Sequence, residues 1–186
     1  GLETSIKLAE EGHNVIATMR NLDKKVALEQ KCKKNNLTIE ILELDVTDDK
    51  SKLQTFTDNL IKKYNKIDVL INNAGIGYMS TFEETSLEKV KELMNTNFYS
   101  VWTLTQCILP FMREHKSGQI ITVSSAGGII GSPFNDAYCA SKFAVEGMME
   151  CLAPVLRNLG IDVTLVEPGA VRSKFVENVE ISSDNI

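Results

Sequence analysis

The chain has no long apolar run, no closely paired cysteines and only two histidines, and each absence excludes a class of protein. No hydrophobic stretch approaches the roughly 20 residues of a membrane-spanning helix, so we expect no integral membrane segment. The four cysteines form no CxxC pair, which favours reduced thiols in a cytoplasmic protein over a disulfide framework or a zinc site. His13 and His115 are isolated from each other and from acidic clusters, so we expect no bound metal.

An excess of positive charge is also missing. The 20 Lys and Arg residues against 25 Asp and Glu residues give a net charge of -5, which does not favour nucleic acid or an anionic membrane as a partner. The length of 186 residues suits one domain, and no repeat, low-complexity segment or linker divides it. We therefore interpret residues 1–186 as a single domain.

Short β-branched runs alternate with segments of helical periodicity along the chain. The strand candidates are Val15–Thr18, Ile39–Leu44, Val69–Asn72, Ile120–Ser124 and Val163–Val166, and the helix candidates are Leu2–Glu11, Leu22–Asn35, Asp48–Tyr64, Leu87–His115 and Asp136–Leu159. Because the strands are apolar on consecutive residues, this alternation predicts an α/β fold with a doubly wound, Rossmann-like parallel sheet. A helical pattern follows Gly1 at once and Glu180–Ile186 is polar, so we expect the first strand and the C-terminal strand of the full domain to be lacking.

Tyr138 and Lys142 are four residues apart in a segment of strong helix formers, so both side chains project from one helix face. A phenol titrates at about 10, and a neighbouring ammonium favours the phenolate and lowers the pKa. This arrangement suits proton exchange with a substrate oxygen. The same spacing also occurs in ordinary surface pairs, and spacing alone leaves both interpretations open.

Ser125 follows the apolar run Ile120–Val123, which places it at the carboxyl end of a buried strand. Open parallel sheets bind their ligands at that edge, and a hydroxyl there can donate a hydrogen bond to a carbonyl oxygen. The alternative is a serine that only caps the strand end. Asn73, Ala74 and Gly75 follow another strand candidate, where they allow close approach of a flat ligand or form an ordinary turn. Asn97 is a poor interior helix residue, which predicts a local kink or a freed carbonyl.

Together these residues resemble the classical short-chain dehydrogenase/reductase family from Gly1 to about Phe175. The matches are Ser125, which lies thirteen residues before Tyr138; Tyr138 and Lys142 in Tyr-x-x-x-Lys; Asn73-Ala74-Gly75; Asn97; Asp45-Val46; Pro168-Gly169; and Gly1, as the last glycine of the opening glycine-rich motif. The remainder of that glycine motif is not in this sequence, so we expect a polypeptide that truly starts at Gly1 to bind the cofactor poorly.

The resemblance implies a role for each match. Tyr138 would be the general acid in reduction and the general base in oxidation, Lys142 would lower the pKa of Tyr138 and bind the nicotinamide ribose, and Ser125 would orient the substrate carbonyl. Asn97 would link Lys142 to bulk water. The cofactor-binding residues would be Gly1, Asp45, Val46, Asn73, Ala74, Gly75, Tyr138, Lys142, Pro168, Gly169 and Val171, with Ser173 a less typical match near the carboxamide.

The end of the second family strand, Thr18-Met19-Arg20, indicates the cofactor. NAD-preferring sites usually place an acidic residue there, and this sequence has none before Asp23. Arg20 could pair with a 2′-phosphate, so NADP(H) is favoured over NAD(H), unless Arg20 is only a solvated charge.

The run Ser125–Ala144 is similar to the family branch that contains estradiol 17-beta-dehydrogenases and photoreceptor retinol dehydrogenases, which implies a hydrophobic alcohol or ketone as substrate. The alternative function is a non-catalytic dinucleotide-binding sensor or scaffold. The family also implies a homodimer or homotetramer through the helices around Leu87–His115 and Tyr138. Leu104, Ile108 and Phe111 could serve that contact, although core packing explains them as well.

Overall fold

The computed structural model describes residues 1–171 and 173–182, and the chain divides into two compact units, Gly1–Val46 and Thr47–Ile186. The first unit contains α1 (Leu2–Glu10), β1 (Ile16–Met19), a 3-10 turn (Leu22–Lys25), α2 (Val26–Lys34) and β2 (Glu40–Glu43). The strands β1 and β2 are parallel, with Ile16 opposite Glu40 and Met19 opposite Glu43. Ile6, Ala17, Leu28 and Cys32 form the core of this unit, so each helix buries its apolar face.

The second unit begins with α3 and contains the longer helices. Its elements are α3 (Lys50–Tyr64), β3 (Val69–Asn72), β4 (Tyr78–Met79), α4 (Leu87–Met94), α5 (Ser100–His115), β5 (Gly118–Val123), α6 (Asp136–Arg157), β6 (Ile161–Val166), α7 (Lys174–Glu177) and β7 (Glu180–Ile181). A parallel sheet has the order β3-β5-β6. Because both neighbouring pairs in this sheet are parallel, the chain must cross over between the strands through helices, which confirms the predicted Rossmann-like α/β class.

Local chemistry explains where the helices of this unit begin. The Asp49 side chain accepts hydrogen bonds from the backbone N–H groups of Ser51 and Lys52 at the start of α3. The Ser86 hydroxyl accepts from Lys89 N at the start of α4. Both are N-caps that satisfy otherwise unpaired donors. The strands were predicted from apolar runs alone, and all five predicted strands lie within two residues of the observed ends.

The core of the second unit lies where α5 and α6 pack against β5 and β6. Its buried members are Val101, Ile108, Met112, Ile120, Val145, Met149, Leu156 and Ile161. Ile108 is therefore a core residue, which is the second of the two interpretations that the sequence allowed for it. Gly118 is required in this packing, because a Cβ at that position would lie 2.5 Å from the Met112 sulfur.

Three elements differ from the sequence prediction. The single helix expected over Leu87–His115 is divided by a π-helical stretch, Asn95–Tyr99, between α4 and α5. The first turn of the second predicted helix, Leu22–Lys25, is a 3-10 helix capped by the Asn21 side chain. The polar segment Glu180–Ile186, where no strand was expected, contains the two-residue strand β7, which pairs with β4, while its residues 183–186 lie outside the described part.

Among the described residues, none of the helices combines the length and the apolar character that crossing a bilayer requires.

Candidate active site

The first turns of α6 hold Tyr138 and Lys142 on one helix face. Tyr138 is partly exposed, whereas Lys142 is buried with 5% of its surface accessible. The ammonium of Lys142 lies 5.9 Å from the centroid of the Tyr138 ring. Its Nζ donates a hydrogen bond of 2.9 Å to the carbonyl oxygen of Val123, the last residue of β5. The i,i+4 spacing therefore brings phenol and ammonium together at the carboxyl end of a central strand.

Burial shifts the pKa values of both groups. It lowers the pKa of Lys142 to about 8, although the negative charge of Glu146 acts in the opposite direction. Burial raises the pKa of the Tyr138 phenol, and a hydrogen bond with the Ser125 side chain partly offsets this effect. This direction is opposite to the lowering expected from the sequence. The reason is that desolvation disfavours the phenolate, while Lys142 directs its hydrogen bond to Val123 and not to the phenol.

Ser125 lies two residues beyond β5 and begins the 3-10 turn Ala126–Gly128. Its Oγ accepts a hydrogen bond from Gly127 N at 3.1 Å. Gly127 lies against both the serine and the tyrosine, because a Cβ there would lie 3.5 Å from Ser125 Oγ and 3.4 Å from Cε1 of Tyr138. The next residue, Ala126, donates its N–H to the carbonyl oxygen of Pro168 at 3.0 Å, so the Pro168–Gly169 turn after β6 lies at the same edge.

Asn97 is buried in the π-helical stretch and binds the loop that follows β3. Its Oδ1 accepts from Ile76 N at 2.9 Å, and its Nδ2 donates to Ile76 O at 3.0 Å. The same Nδ2 lies 3.0 Å from Ser141 Oγ, and this hydroxyl donates to the carbonyl oxygen of Tyr138 at 2.7 Å. A Cβ at Gly75 would lie 3.3 Å from Asn97 Oδ1 and 3.7 Å from Lys142 Nζ, so that glycine allows close approach of the loop. The structure thus brings together Ser125, Tyr138, Lys142, Asn97 and Gly75.

The remaining predicted cofactor residues fall into the two units. In the first unit, Gly1 precedes α1. Arg20 is exposed directly after β1, and Asp45 and Val46 follow β2, so these three residues lie at the carboxyl edge of that unit's parallel sheet. In the second unit, Asn73 and Ala74 are exposed after β3, as are Gly169 and Val171 after β6, while Pro168 is half-buried. Within each unit these residues lie where parallel sheets bind a dinucleotide. In the second unit, the amide group of Asn73 and the buried ammonium of Lys142 are donors that suit ribose hydroxyls, and the exposed Arg20 of the first unit is a donor that suits a phosphate.

Apolar side chains lie beside Tyr138. The ring of Phe175 on α7 is centred 6.0 Å from the Tyr138 ring, and it also approaches Gly77, where a Cβ would lie 3.2 Å from Phe175 Cζ. Ile130 and Phe134, in the segment between Ser125 and Tyr138, are exposed apolar residues.

Sequence reasoning did not identify Ser141, Glu146 or Phe175 as site residues. Ser141 and Glu146 were detectable, because Ser141 is the neighbour of Lys142 in the helix and Glu146 lies one turn after it. Phe175 had no comparable signal, since its contact with Tyr138 depends on a chain turn that no motif predicts. Among the described residues there is no group of three metal-ligating side chains.

Comparison with known proteins assigns a family to this arrangement. The family model described as short chain dehydrogenase matches residues 1–183. Retinol dehydrogenase 8 of Bos taurus is 40% identical over an alignment of 179 positions, which covers 94% of this chain and 56% of the relative. A 3-ketodihydrosphingosine reductase of Bacteroides thetaiotaomicron is 39% identical, with coverage of 98% and 64%, and estradiol 17-beta-dehydrogenase 1 of Rattus norvegicus is 36% identical, with coverage of 97% and 53%. The chain thus spans between about half and two thirds of the length of these relatives.

A solved structure agrees with the fold. A metagenomic short-chain oxidoreductase in complex with NADP superposes with a TM-score of 0.84 at 28% identity, over 91% of this chain and 77% of that one.

Proposed function

Because the chain belongs to the short-chain dehydrogenase family, we propose that it carries the catalytic residues of an oxidoreductase that transfers a hydride between NADP(H) and a hydrophobic alcohol or ketone. Tyr138 is the general acid in reduction and the general base in oxidation. The observation that carries this proposal is that the half-buried Tyr138 phenol has a hydrogen bond with Ser125 and lies beside the Lys142 ammonium, which binds the carboxyl end of β5.

Tyr138, Ser125 and Lys142 each have a separate role in reduction. The nicotinamide supplies the hydride when it is bound. Tyr138 Oη gives its proton to the substrate oxygen, and its raised pKa means that the phenol carries that proton at neutral pH. Ser125 orients the same oxygen through its hydroxyl. Lys142 holds positive charge beside the ring and stabilises the phenolate that remains.

The cofactor assignment rests on the charge after β1. Arg20 is exposed at that strand end, where it suits bidentate pairing with the 2′-phosphate of NADP(H). Asp45 and Val46 would contact the adenine, and Asn73 and Gly75 the adenosine ribose. The structural relative that binds NADP supports this preference.

The substrate class follows from the surroundings of Tyr138. The Phe175 ring lies beside Tyr138, and Ile130 and Phe134 are exposed apolar residues of the segment that leads to it, which favours a hydrophobic alcohol or ketone. The relatives are a retinol dehydrogenase, a 3-ketodihydrosphingosine reductase and an estradiol 17-beta-dehydrogenase, and the molecules in all three names are largely apolar.

The proposal includes a homodimer or homotetramer. Four large apolar residues are exposed, which suits them to contact between subunits: Tyr99 at the end of the π-helical stretch, Trp102 on α5, and Phe143 and Val155 on α6. They replace the buried Ile108 as candidates for that contact.

The experiment is a reductase assay with the protein, NADPH, and a panel of retinals, keto-steroids, long-chain ketones and small polar ketones. We expect NADPH consumption with the hydrophobic carbonyls, and about 100-fold or more loss in the Ser125→Ala variant. Tight NADPH binding without consumption of any carbonyl would instead support the non-catalytic sensor or scaffold.

A further inference from the structure

Glu146 is a buried carboxylate that the mechanism above does not use. It lies on α6 four residues after Lys142, so the two side chains share one helix face. Glu146 has 7% of its surface accessible and Lys142 has 5%. Charged residues are seldom buried to this degree without a partner, and two on successive turns of one helix need an explanation.

The surroundings of Glu146 offer little to neutralise it. Among the described residues, its Oε1 has no hydrogen-bond partner, and the same is true of the nearby Ser124 Oγ. Both groups surround Gly128, where a Cβ would lie 3.2 Å from Glu146 Oε1 and 2.8 Å from Ser124 Oγ. The absence of a side chain at Gly128 therefore leaves space for the carboxylate at the end of β5, beside the residue to which Lys142 donates its hydrogen bond.

The groups that face Lys142 come from several elements. From its own helix these are Glu146 and the Tyr138 phenol; from the end of β5, the Val123 carbonyl; from the loop after β3, Gly75. The π-helical stretch contributes the uncharged amide of Asn97, which approaches the same glycine. Within the described chain, Glu146 is the group whose charge acts on Lys142 against the effect of burial.

We infer that Glu146 is a positioning residue whose buried negative charge keeps Lys142 protonated, and thereby keeps the Tyr138 site active at neutral and mildly alkaline pH. The effect is a Coulomb interaction through space, and it is strong because both side chains lie in a buried region of low dielectric. The inference rests on the proposed function for its catalytic consequence, but the protonation of Lys142 can be measured independently.

The test measures the pKa of Lys142 by NMR, from the side-chain ¹³Cε shift of ¹³C-labelled lysine, with Lys142→Arg used to assign the signal. In Glu146→Gln we expect that pKa to fall by about one. Glutamine has the size of glutamate and replaces an oxygen without a hydrogen-bond partner in the described chain, so the fold should persist. Glu150→Gln is the matched control, because Glu150 is exposed on the same helix and the net charge changes equally.

Glu146→Asp distinguishes charge from packing. It keeps the charge and loses one methylene, so the pKa of Lys142 should stay close to that of the wild type. An unchanged pKa in Glu146→Gln, or an equal fall in Glu146→Asp and Glu146→Gln, would overturn the inference.

The catalytic consequence is read from the pH profile of kcat/KM for reduction. The alkaline limb of this profile should move to lower pH in Glu146→Gln and stay in place in Glu150→Gln. If the pKa of Lys142 falls in Glu146→Gln but the limb does not move, protonation of Lys142 does not control activity at Tyr138. An inactive wild type with the predicted NMR result would contradict the proposed function alone.

Discussion

The side-chain amide of Asn97 pairs with both polar groups of the Ile76 backbone, accepting from its N–H at 2.9 Å and donating to its carbonyl oxygen at 3.0 Å. This two-point contact joins the π-helical stretch to the loop that follows β3. Because Nδ2 also reaches the Ser141 hydroxyl on α6, one buried amide connects three segments around the candidate site. An asparagine that is unfavourable for an α-helix is thus stabilised by contacts outside it.

The Nδ2 donor of Asn97 should be required for both stability and activity. Asn97→Asp keeps an acceptor for Ile76 N but loses the donor to Ile76 O and Ser141 Oγ, and it places a carboxylate where 1% of the side chain is accessible. We expect the free energy of unfolding to fall by about 2 kcal/mol or more, and reductase activity to be lost. Chemical denaturation measures the first effect. The control is Asn95→Asp, at an exposed position of the same stretch, and equal stability of the two variants would contradict the role of the contact.

Ser141 should affect the reaction through the backbone of Tyr138. Ser141→Ala removes the donor to the Tyr138 carbonyl oxygen and the acceptor for Asn97, so we expect kcat to fall on the order of tenfold with KM little changed. Ser100→Ala is the matched control, since that buried hydroxyl also donates to a helix carbonyl, Thr96 O, away from Tyr138. Both variants should lose about 1 kcal/mol of stability. Equal kcat values in the two would show that Ser141 is only structural.

Lys142 should make stability depend on pH in a defined direction. Its folded pKa of about 8 lies below its ordinary value of 10.5. Between these two pH values the unfolded chain binds more protons than the folded chain, so the free energy of unfolding rises with pH. Below about pH 8 the ammonium is protonated in both states, and the folded state carries the full free-energy cost of burying it. In this window the free energy of unfolding of the wild type, relative to that of Lys142→Met, should rise by up to about 1.4 kcal/mol per pH unit. Chemical denaturation of the wild type and Lys142→Met from pH 7 to 10 measures this rise, and Lys91→Met, at an exposed position, is the control for the lost charge. A difference between wild type and Lys142→Met that does not change with pH would contradict the lowered pKa of Lys142.

Arg20 should determine the choice of cofactor. Arg20→Asp replaces the cation after β1 by a carboxylate that repels a 2′-phosphate and can accept from a 2′-hydroxyl. We expect the ratio of NADPH to NADH affinity to fall by about 100-fold, as measured by titration calorimetry. Lys24→Asp, also exposed and in the 3-10 turn that follows, makes the same change in net charge and should leave the ratio unchanged. An unaltered preference in Arg20→Asp would overturn the assignment.

Much of the fold could be predicted because the signals are local. Consecutive apolar β-branched residues indicated the buried strands β3, β5 and β6, and the helical segments followed from their periodicity. The π-helical stretch was signalled only by the poor helix propensity of Asn97, since its partners, the Ile76 peptide and Ser141, are distant in sequence. The pairing of β4 with β7 likewise involves two-residue strands, which are too short to give a periodic pattern.

The proximity of Ser125, Tyr138 and Lys142 was predictable, whereas the electrostatics were not. A strand end and an i,i+4 helix pair indicated which side chains would meet. The direction of the pKa shift of Tyr138 depends on burial and on the hydrogen bond of Lys142 to Val123, and both follow from tertiary packing. The same holds for the burial of Glu146.

The most direct test of Tyr138 as the proton donor is a variant that removes its phenolic oxygen and leaves cofactor binding intact. Tyr138→Phe removes only the phenolic oxygen, and Tyr99→Phe makes the same change at an exposed ring. With the hydrophobic carbonyl that the wild type reduces best, NADPH consumption by Tyr138→Phe should fall by about 100-fold to 10,000-fold, while NADPH affinity and the Tyr99→Phe rate stay near the wild-type values. NADPH consumption by Tyr138→Phe at the wild-type rate would contradict the account.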